Sequence, residues 1–295
     1  MTVLDQLIAS LLHGAILGSV YGLATIGLSL IFGVMRIVNV GHGAFIMMGA
    51  YIAYWLFLLY AIIPILSIFI ALVIGIALGL IFFYTVIFKV VNAPELSSLL
   101  ATFGIGILLE EIARVIWGPD YVGYTWDTGS IVLPWTNISL PKIYAAISSI
   151  IIVIGLYLLL YNTRLGSAIR AVVQDSEGAI LCGVDVSRTY AYSFTIGIVL
   201  TTISGVLLTL FIPVGINPYM GGIYTLKAFV IAVLGGLGSP WGAFIGGFLF
   251  GLIENGSYVA FNLVPGLNPF PMTRFFAFTM LLIILLIKPT GLMGR

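Results

Sequence analysis

Residues 37–88 read IVNVGHGAFIMMGAYIAYWLFLLYAIIPILSIFIALVIGIALGLIFFYTVIF, without one Asp, Glu, Lys or Arg. A helix needs about 20 apolar residues to cross the hydrocarbon layer, so this run holds two crossings, and Pro64 marks the joint between them. The rest of the chain has the same character. Its 295 residues are 61% hydrophobic and only 7% charged, with a mean hydropathy of +1.23. A soluble surface normally carries about 25% charged residues, so lipid is the solvent for most of this chain. A net charge of +1 supplies no basic field for nucleic acid. The first apolar segment, Leu7 to about Met35, is preceded only by Asp5. Lacking the basic start of a cleavable signal peptide, it is predicted to be a retained helix.

Gaps between charges and turn residues predict spans near 7–35, 43–61, 65–88, 96–117, 143–161, 190–212, 224–238, 241–262 and 273–288. The predicted fold is therefore an all-α polytopic membrane protein of eight to nine transmembrane helices with broken or re-entrant segments. The lower count applies if 224–238, which starts near Lys227 and ends in Gly235-Gly236-Leu237-Gly238-Ser239-Pro240, is a re-entrant half-helix. Six of the 21 charged residues fall between Arg164 and Arg188. Placing that island in the cytosol also puts Arg36, Lys89, Lys288 and Arg295 inside, against Arg114, Lys142, Lys227 and Arg274 near the outer ends, and leaves the N-terminus outside. Between Gly118 and Lys142 an outer loop carries Tyr121, Tyr124, Trp126 and Trp135, an interfacial aromatic composition.

Catalytic and metal signatures are missing from the sequence. His13 and His42 are each followed by glycine, so no His-Glu-x-x-His zinc motif exists, and the single Cys182 can build neither a thiolate zinc site nor an internal disulfide. There is no Gly-x-Ser-x-Gly elbow. None of the lysines follows a glycine, so no Walker A loop cradles nucleotide phosphates, and any ATP chemistry belongs to another polypeptide.

Glycines and lone charges supply the positive signals. Gly14, Gly18 and Gly22, Gly75 and Gly79, Gly242 and Gly246, and Gly247 and Gly251 recur at four-residue spacing, which lets helices approach closely. Two clusters break apolar runs: Asn39-Val40-Gly41-His42-Gly43, and Gly235 to Pro240 with Gly236 and Gly238. Non-helical backbone at membrane depth survives only where protein buries it or water wets it, so each is a pathway-lining segment or an inter-helix turn. Glu110 and Glu111 precede Arg114 on one side of a helix, predicting an ion pair. Glu254 stands between the charge-free flanks 228–253 and 255–273 and must face the bundle interior or a wet helix end.

The island reads as short amphipathic helices lying on the cytosolic face, or as a solvated loop. Within it, Glu177-Gly178-Ala179-Ile180-Leu181-Cys182-Gly183 resembles the Glu-Ala-Ala-x-x-x-Gly signature of ABC importer permeases, with Gly178 in place of one alanine. The likeness extends over most of the chain. Asn39 with His42-Gly43, Leu234 to Ser239 with Gly242-Ala243, Glu254, and the tail Lys288-Pro289-Thr290-Gly291-Leu292 resemble, in order, the permeases of high-affinity branched-chain amino acid ABC importers. That resemblance implies one transmembrane permease domain over 1–295, an ABC importer permease bundle, with a cytosolic coupling loop at 162–189. It implies a plasma-membrane protein that pairs with a second permease subunit, identical or similar. Two cytosolic ABC ATPase subunits and an extracytoplasmic solute-binding protein complete the assembly. Branched-chain or related amino acids would cross between the two permeases, although importers of urea and short amides share this permease type, with ATP and Mg held by the ATPases and no cofactor by this chain. Arg170, Glu177, Gly178, Ala179 and Gly183 are then the candidate coupling residues, Glu177 near the start of a short helix and Gly183 just past its end at positive φ. Asn39, Gly41, His42, Gly43, Gly235, Gly236, Gly238 and Glu254 are the candidates for the pathway or its broken helices. The rival reading is a stand-alone ion-coupled carrier or channel, with Glu254 and the breaks forming its ion site.

Overall fold

The computed structural model describes residues 3–264, 266, 268–288 and 290–294. Pro289 of the tail motif, and Arg295 among the basic residues assigned inside, lie outside the described residues. The fold is mostly helical. Among the described residues, six helices are long and apolar enough to cross a membrane: α1 (Val3–Met35), α2 (His42–Tyr60), α3 (Pro64–Phe82, continuous to Val90), α6 (Leu140–Asn162), α9 (Val186–Leu208) and α11 (Pro240–Asn262). Between and after them come α4 (Phe88–Val90), α5 (Glu95–Trp117), α7 (Arg164–Gln174), α8 (Ser176–Leu181), α10 (Met220–Gly235) and α12 (Pro269–Ile287). A π-helical turn at Phe83–Ile87 joins α3 to α4.

Helices α1 and α9 form the centre, buried along most of their length, while α3 and α6 turn most of their surface outward. The glycine spacing explains how the centre closes. Gly14, Gly18 and Gly22 of α1 lie against Gly251, Gly247 and Phe244 of α11, an antiparallel seam in which an added Cβ would strike the facing backbone. Gly27 meets Gly197 and Thr201 of α9, and Gly75 and Gly79 of α3 meet Val199 and Thr195 of the same helix. Those glycines are packing residues: with no Cβ in the seam, backbones approach and gain dispersion contacts where lipid provides no hydrophobic drive.

One correction concerns the aromatic loop, which holds strands. β2 (Ser130–Leu133) and β3 (Thr136–Ser139) pair antiparallel around Pro134-Trp135, and β1 (Val122–Gly123) pairs with β4 (Val214–Ile216). A two-stranded sheet has open edges, so this layer belongs beyond the hydrocarbon. Its aromatics clamp the helix ends beneath: Tyr124 stacks on Phe57 at 4.7 Å and its hydroxyl pairs with Thr209 Oγ1 at 2.6 Å, while Trp117 stacks on Tyr51 at 4.2 Å. Burial pushes the Tyr124 phenol up to about 12.

Candidate functional site

The first break is a built structure. Arg36 ends α1 with φ 56°, and residues 37–41 run back along the bundle, so that His42 opens α2 beside Ala24 and Thr201. Ala24 lies about three helical turns before Met35. The non-helical backbone is satisfied by two threonines of other helices. Thr102 of α5 accepts from Val40 N at 3.2 Å and donates to Val38 O at 3.0 Å; Thr225 of α10 accepts from Gly43 N at 2.8 Å. Gly41 faces Gly106, and Gly43 faces Gly221, each too closely for a Cβ. Asn39 and His42 are buried, and Asn39 Nδ2 and His42 Nε2 close no hydrogen bond.

A second break lies beside the end of α1. Gly236 and Gly238 take φ of 106° and 83°, Ser239 caps α11 by accepting from Gly242 N at 3.1 Å, and Gly238 abuts Gly33 near the end of α1. Leu292 N and Met293 N of the tail donate to the Leu234 and Gly235 carbonyls, both at 2.9 Å. Carbonyls left free at the end of α10 are thereby taken by the tail.

Glu254 is not alone. Lys227 Nζ lies 2.6 Å from Glu254 Oε1 and donates to the Tyr21 hydroxyl at 2.8 Å, with side-chain exposures of 15% and 16% for Lys227 and Glu254. Lys227 therefore does not mark a helix end, as the sequence pattern had it: α10 begins at Met220, seven residues earlier, and carries Lys227 into the bundle. The ammonium also sits 4.7 Å from the Tyr21 ring centre and 6.0 Å from that of Tyr224. Glu254 Oε2 is buried with no hydrogen bond. Toward the hairpin, Tyr21 and Tyr224 form part of the wall of a cavity of about 420 Å³, whose other walls include His13, Leu17, Lys142 and Phe211. Sequence reasoning missed this pair. The available signal was two solitary opposite charges in charge-free runs either side of one glycine break, since an intramembrane charge is cheapest when paired.

The predicted pair of Glu110 and Glu111 with Arg114 is half present. Arg114 meets Glu111 at 2.5 Å at an exposed position, whereas Glu110 turns toward Gly221 at the start of α10.

The island folds as two short helices. Thr163 caps α7 by accepting from Gly166 N, and Ile169 and Val172 point into the protein. Asp175 caps α8 by accepting from Glu177 N at 3.0 Å, which places Glu177 in the first turn. Gly183 has φ 81°; its N–H donates to Ile180 O and that of Val184 to Ala179 O, a Schellman stop. Gly178 faces the Asp175 carboxylate, where a Cβ would press on the cap. Ala179 is buried, while Ile180 and Leu181 are 59% and 89% exposed. Cys182 is exposed. Arg170 turns back onto the end of α6, donating to Leu160 O and stacking 5.0 Å from the Tyr161 ring centre.

A family model described as the permease component of branched-chain amino acid transport systems matches residues 10–285. The high-affinity branched-chain amino acid transport system permease protein LivH of Escherichia coli K12 is 29% identical, covering 96% of this chain and 94% of its own length. BraD of Pseudomonas aeruginosa, with the same description, is 31% identical over 97% and 95%. A probable branched-chain amino acid permease, LivH of Methanocaldococcus jannaschii, is 29% identical over 96% and 92%. No solved structure matches the chain.

Proposed function

The chain belongs to the family of branched-chain amino acid transport permease components, and from that premise we propose that it is the membrane-spanning permease subunit of an ATP-driven importer of branched-chain or related amino acids. The observation that carries the ATP-driven part is the α7–α8 pair. It offers bare apolar side chains, Ile180 and Leu181, on a rigid capped helix at the end of the bundle opposite the hairpin. Adjacent apolar side chains left bare on a water-facing loop support a contact with a partner protein.

In this reading residues 162–189 are the coupling loop within one permease domain, and the hairpin end faces the exterior, where a solute-binding protein docks. Glu177, Gly178, Ala179 and Gly183 shape the contact with the ATPase, Arg170 ties the loop to α6, and the breaks at Asn39–Gly43 and Gly235–Gly238 let helices change their packing. ATP and Mg sit on separate ATPase subunits, two per complex, and a second permease subunit completes the pore. Helices α5, α10 and α12 add to the six apolar spans to give eight to nine crossings, with α10 the short one. Alternating access is then a shift between two packings, each favoured by a different bound partner. The solitary ion-coupled carrier is weaker, because the family model and the relatives that match nearly the whole chain are permease components of branched-chain amino acid transport systems.

Co-purification decides the matter. The chain, expressed with its candidate partners, should bring down an ATPase and support ATP-dependent uptake of leucine, isoleucine or valine in proteoliposomes. Uptake driven by an ion gradient with this chain alone would overturn the assignment.

A further inference from the structure

Resting on the amino acid reading above, we infer that Lys227, Glu254 and Tyr21 form an intramembrane binding point for the two charges of a zwitterionic substrate. The pair neutralises itself when the site is empty and changes partners when it is filled.

An α-amino acid carries its ammonium and carboxylate on one carbon, and both must leave water to cross an apolar bundle. Each charge then needs an opposite partner and hydrogen bonds, or its desolvation stops entry. The described structure supplies one such set beside a cavity. Lys227 Nζ and Glu254 Oε1 are 2.6 Å apart, so one neighbourhood presents both signs. Lys227 and the Tyr21 hydroxyl offer donors to a carboxylate, while Glu254 and the ring faces of Tyr21 and Tyr224 offer what an ammonium needs.

Two observations separate this from a structural pair. Glu254 Oε2 is buried without a hydrogen bond, an acceptor position a purely structural pair would fill. The pair also lies behind the tyrosines that wall a cavity of about 420 Å³, inside the range of about 300–1,000 Å³ for small-molecule pockets. Leu17, Leu208, Ile212 and Val259 on that wall suit a branched aliphatic side chain. The polar contacts for entry thus come from within one subunit's bundle, not only from a face shared with a second permease.

The partner exchange is electroneutral: the Lys227–Glu254 contact opens, Lys227–carboxylate and Glu254–ammonium contacts form, and no net charge is buried. Three variants of the complete transporter test it. Lys227→Met with Glu254→Gln removes both charges; Lys227→Glu with Glu254→Lys keeps a pair with its polarity reversed; Tyr21→Phe removes one hydroxyl. Both double variants should assemble with the ATPase to the wild-type extent yet carry leucine at least tenfold more slowly, and Tyr21→Phe should assemble fully and slow uptake several-fold. Leucine uptake above half the wild-type rate in an assembled double variant overturns the inference and leaves the permease assignment standing. If neither double variant assembles, Tyr21→Phe decides: wild-type uptake overturns it. If wild type assembles with its ATPase but carries no zwitterion, this inference falls together with the amino acid reading.

Discussion

Gly43 and Gly221 cross so closely that a Cβ on Gly43 would strike the Gly221 carbonyl, which locks the first turn of α2 onto the first turn of α10. The same crossing brings Thr225 to the Gly43 amide. Gly43→Ala must therefore push two backbones apart, at an overpacking cost of roughly 1–3 kcal/mol. Gly222, one residue along, faces open space. In thermal unfolding of the solubilised protein, Gly43→Ala should melt several degrees lower and Gly222→Ala within a degree of wild type. Equal melting points would refute the close crossing.

Gly183 sits at φ 81°, where a side chain costs about 1–2 kcal/mol. Gly183→Val should loosen the stop of α8 without unfolding the bundle, and Leu181→Asp should leave the fold untouched while placing a charge on its most exposed apolar residue. Both should lower recovery of the ATPase in a detergent pull-down by several-fold and uncouple hydrolysis from uptake. Glu177→Lys should do the same, by opposing the positive end of α8 and removing its charge from the contact. Wild-type recovery and uptake in all three would remove the coupling helix from the mechanism.

Orientation can be read chemically. Thr128 beside the hairpin and Ser187 at the start of α9 are both exposed. With Cys182 replaced, a cysteine at Thr128 should react with an impermeant maleimide from outside intact cells, and one at Ser187 only after the membrane is opened. The reverse pattern would turn the molecule over.

The clamp at Tyr124 gives an alkaline signature. Its phenol is pushed up to about 12 by burial, against about 10 unfolded. The folded state holds this proton more tightly, so the contribution is fully present below pH 10 and is lost as pH rises through 12. The phenolate absorbance of wild type minus Tyr124→Phe should rise near pH 12; a rise near 10 would place the ring in water. Tyr124→Phe keeps the stack on Phe57 and loses the bond to Thr209, a loss of about 1 kcal/mol.

Much of the fold was legible because lipid imposes one rule on long segments. The charge-free run from Ile37 to Phe88 had to hold two helical crossings, and Pro64 does stand at the start of α3. What that rule does not reach was missed. Ser130–Leu133 and Thr136–Ser139 flank a two-residue turn and are rich in β-branched side chains, yet their aromatic neighbours read as an interface loop. The π turn at Phe83–Ile87 contains no breaker, because it arises from packing and not from local preference. At the candidate sites, glycines marked the breaks, but Thr102 and Thr225, which satisfy the first one, look like any other threonines in sequence. The partnership of Lys227 with Glu254 depends on two helices folding back beside α1, a fact no local pattern contains.

The seam between α1 and α11 bears on the birth of the protein. At synthesis rates of about 5–20 residues per second, the roughly 200 residues between these helices take on the order of ten to forty seconds to emerge. During that interval the notch along Gly14, Gly18 and Gly22 has no mate, and acyl chains or the insertion machinery must fill it. Helix α1 is thus made well before its packing is completed, and a nascent chain stalled before Pro240 would leave an open groove at its own centre.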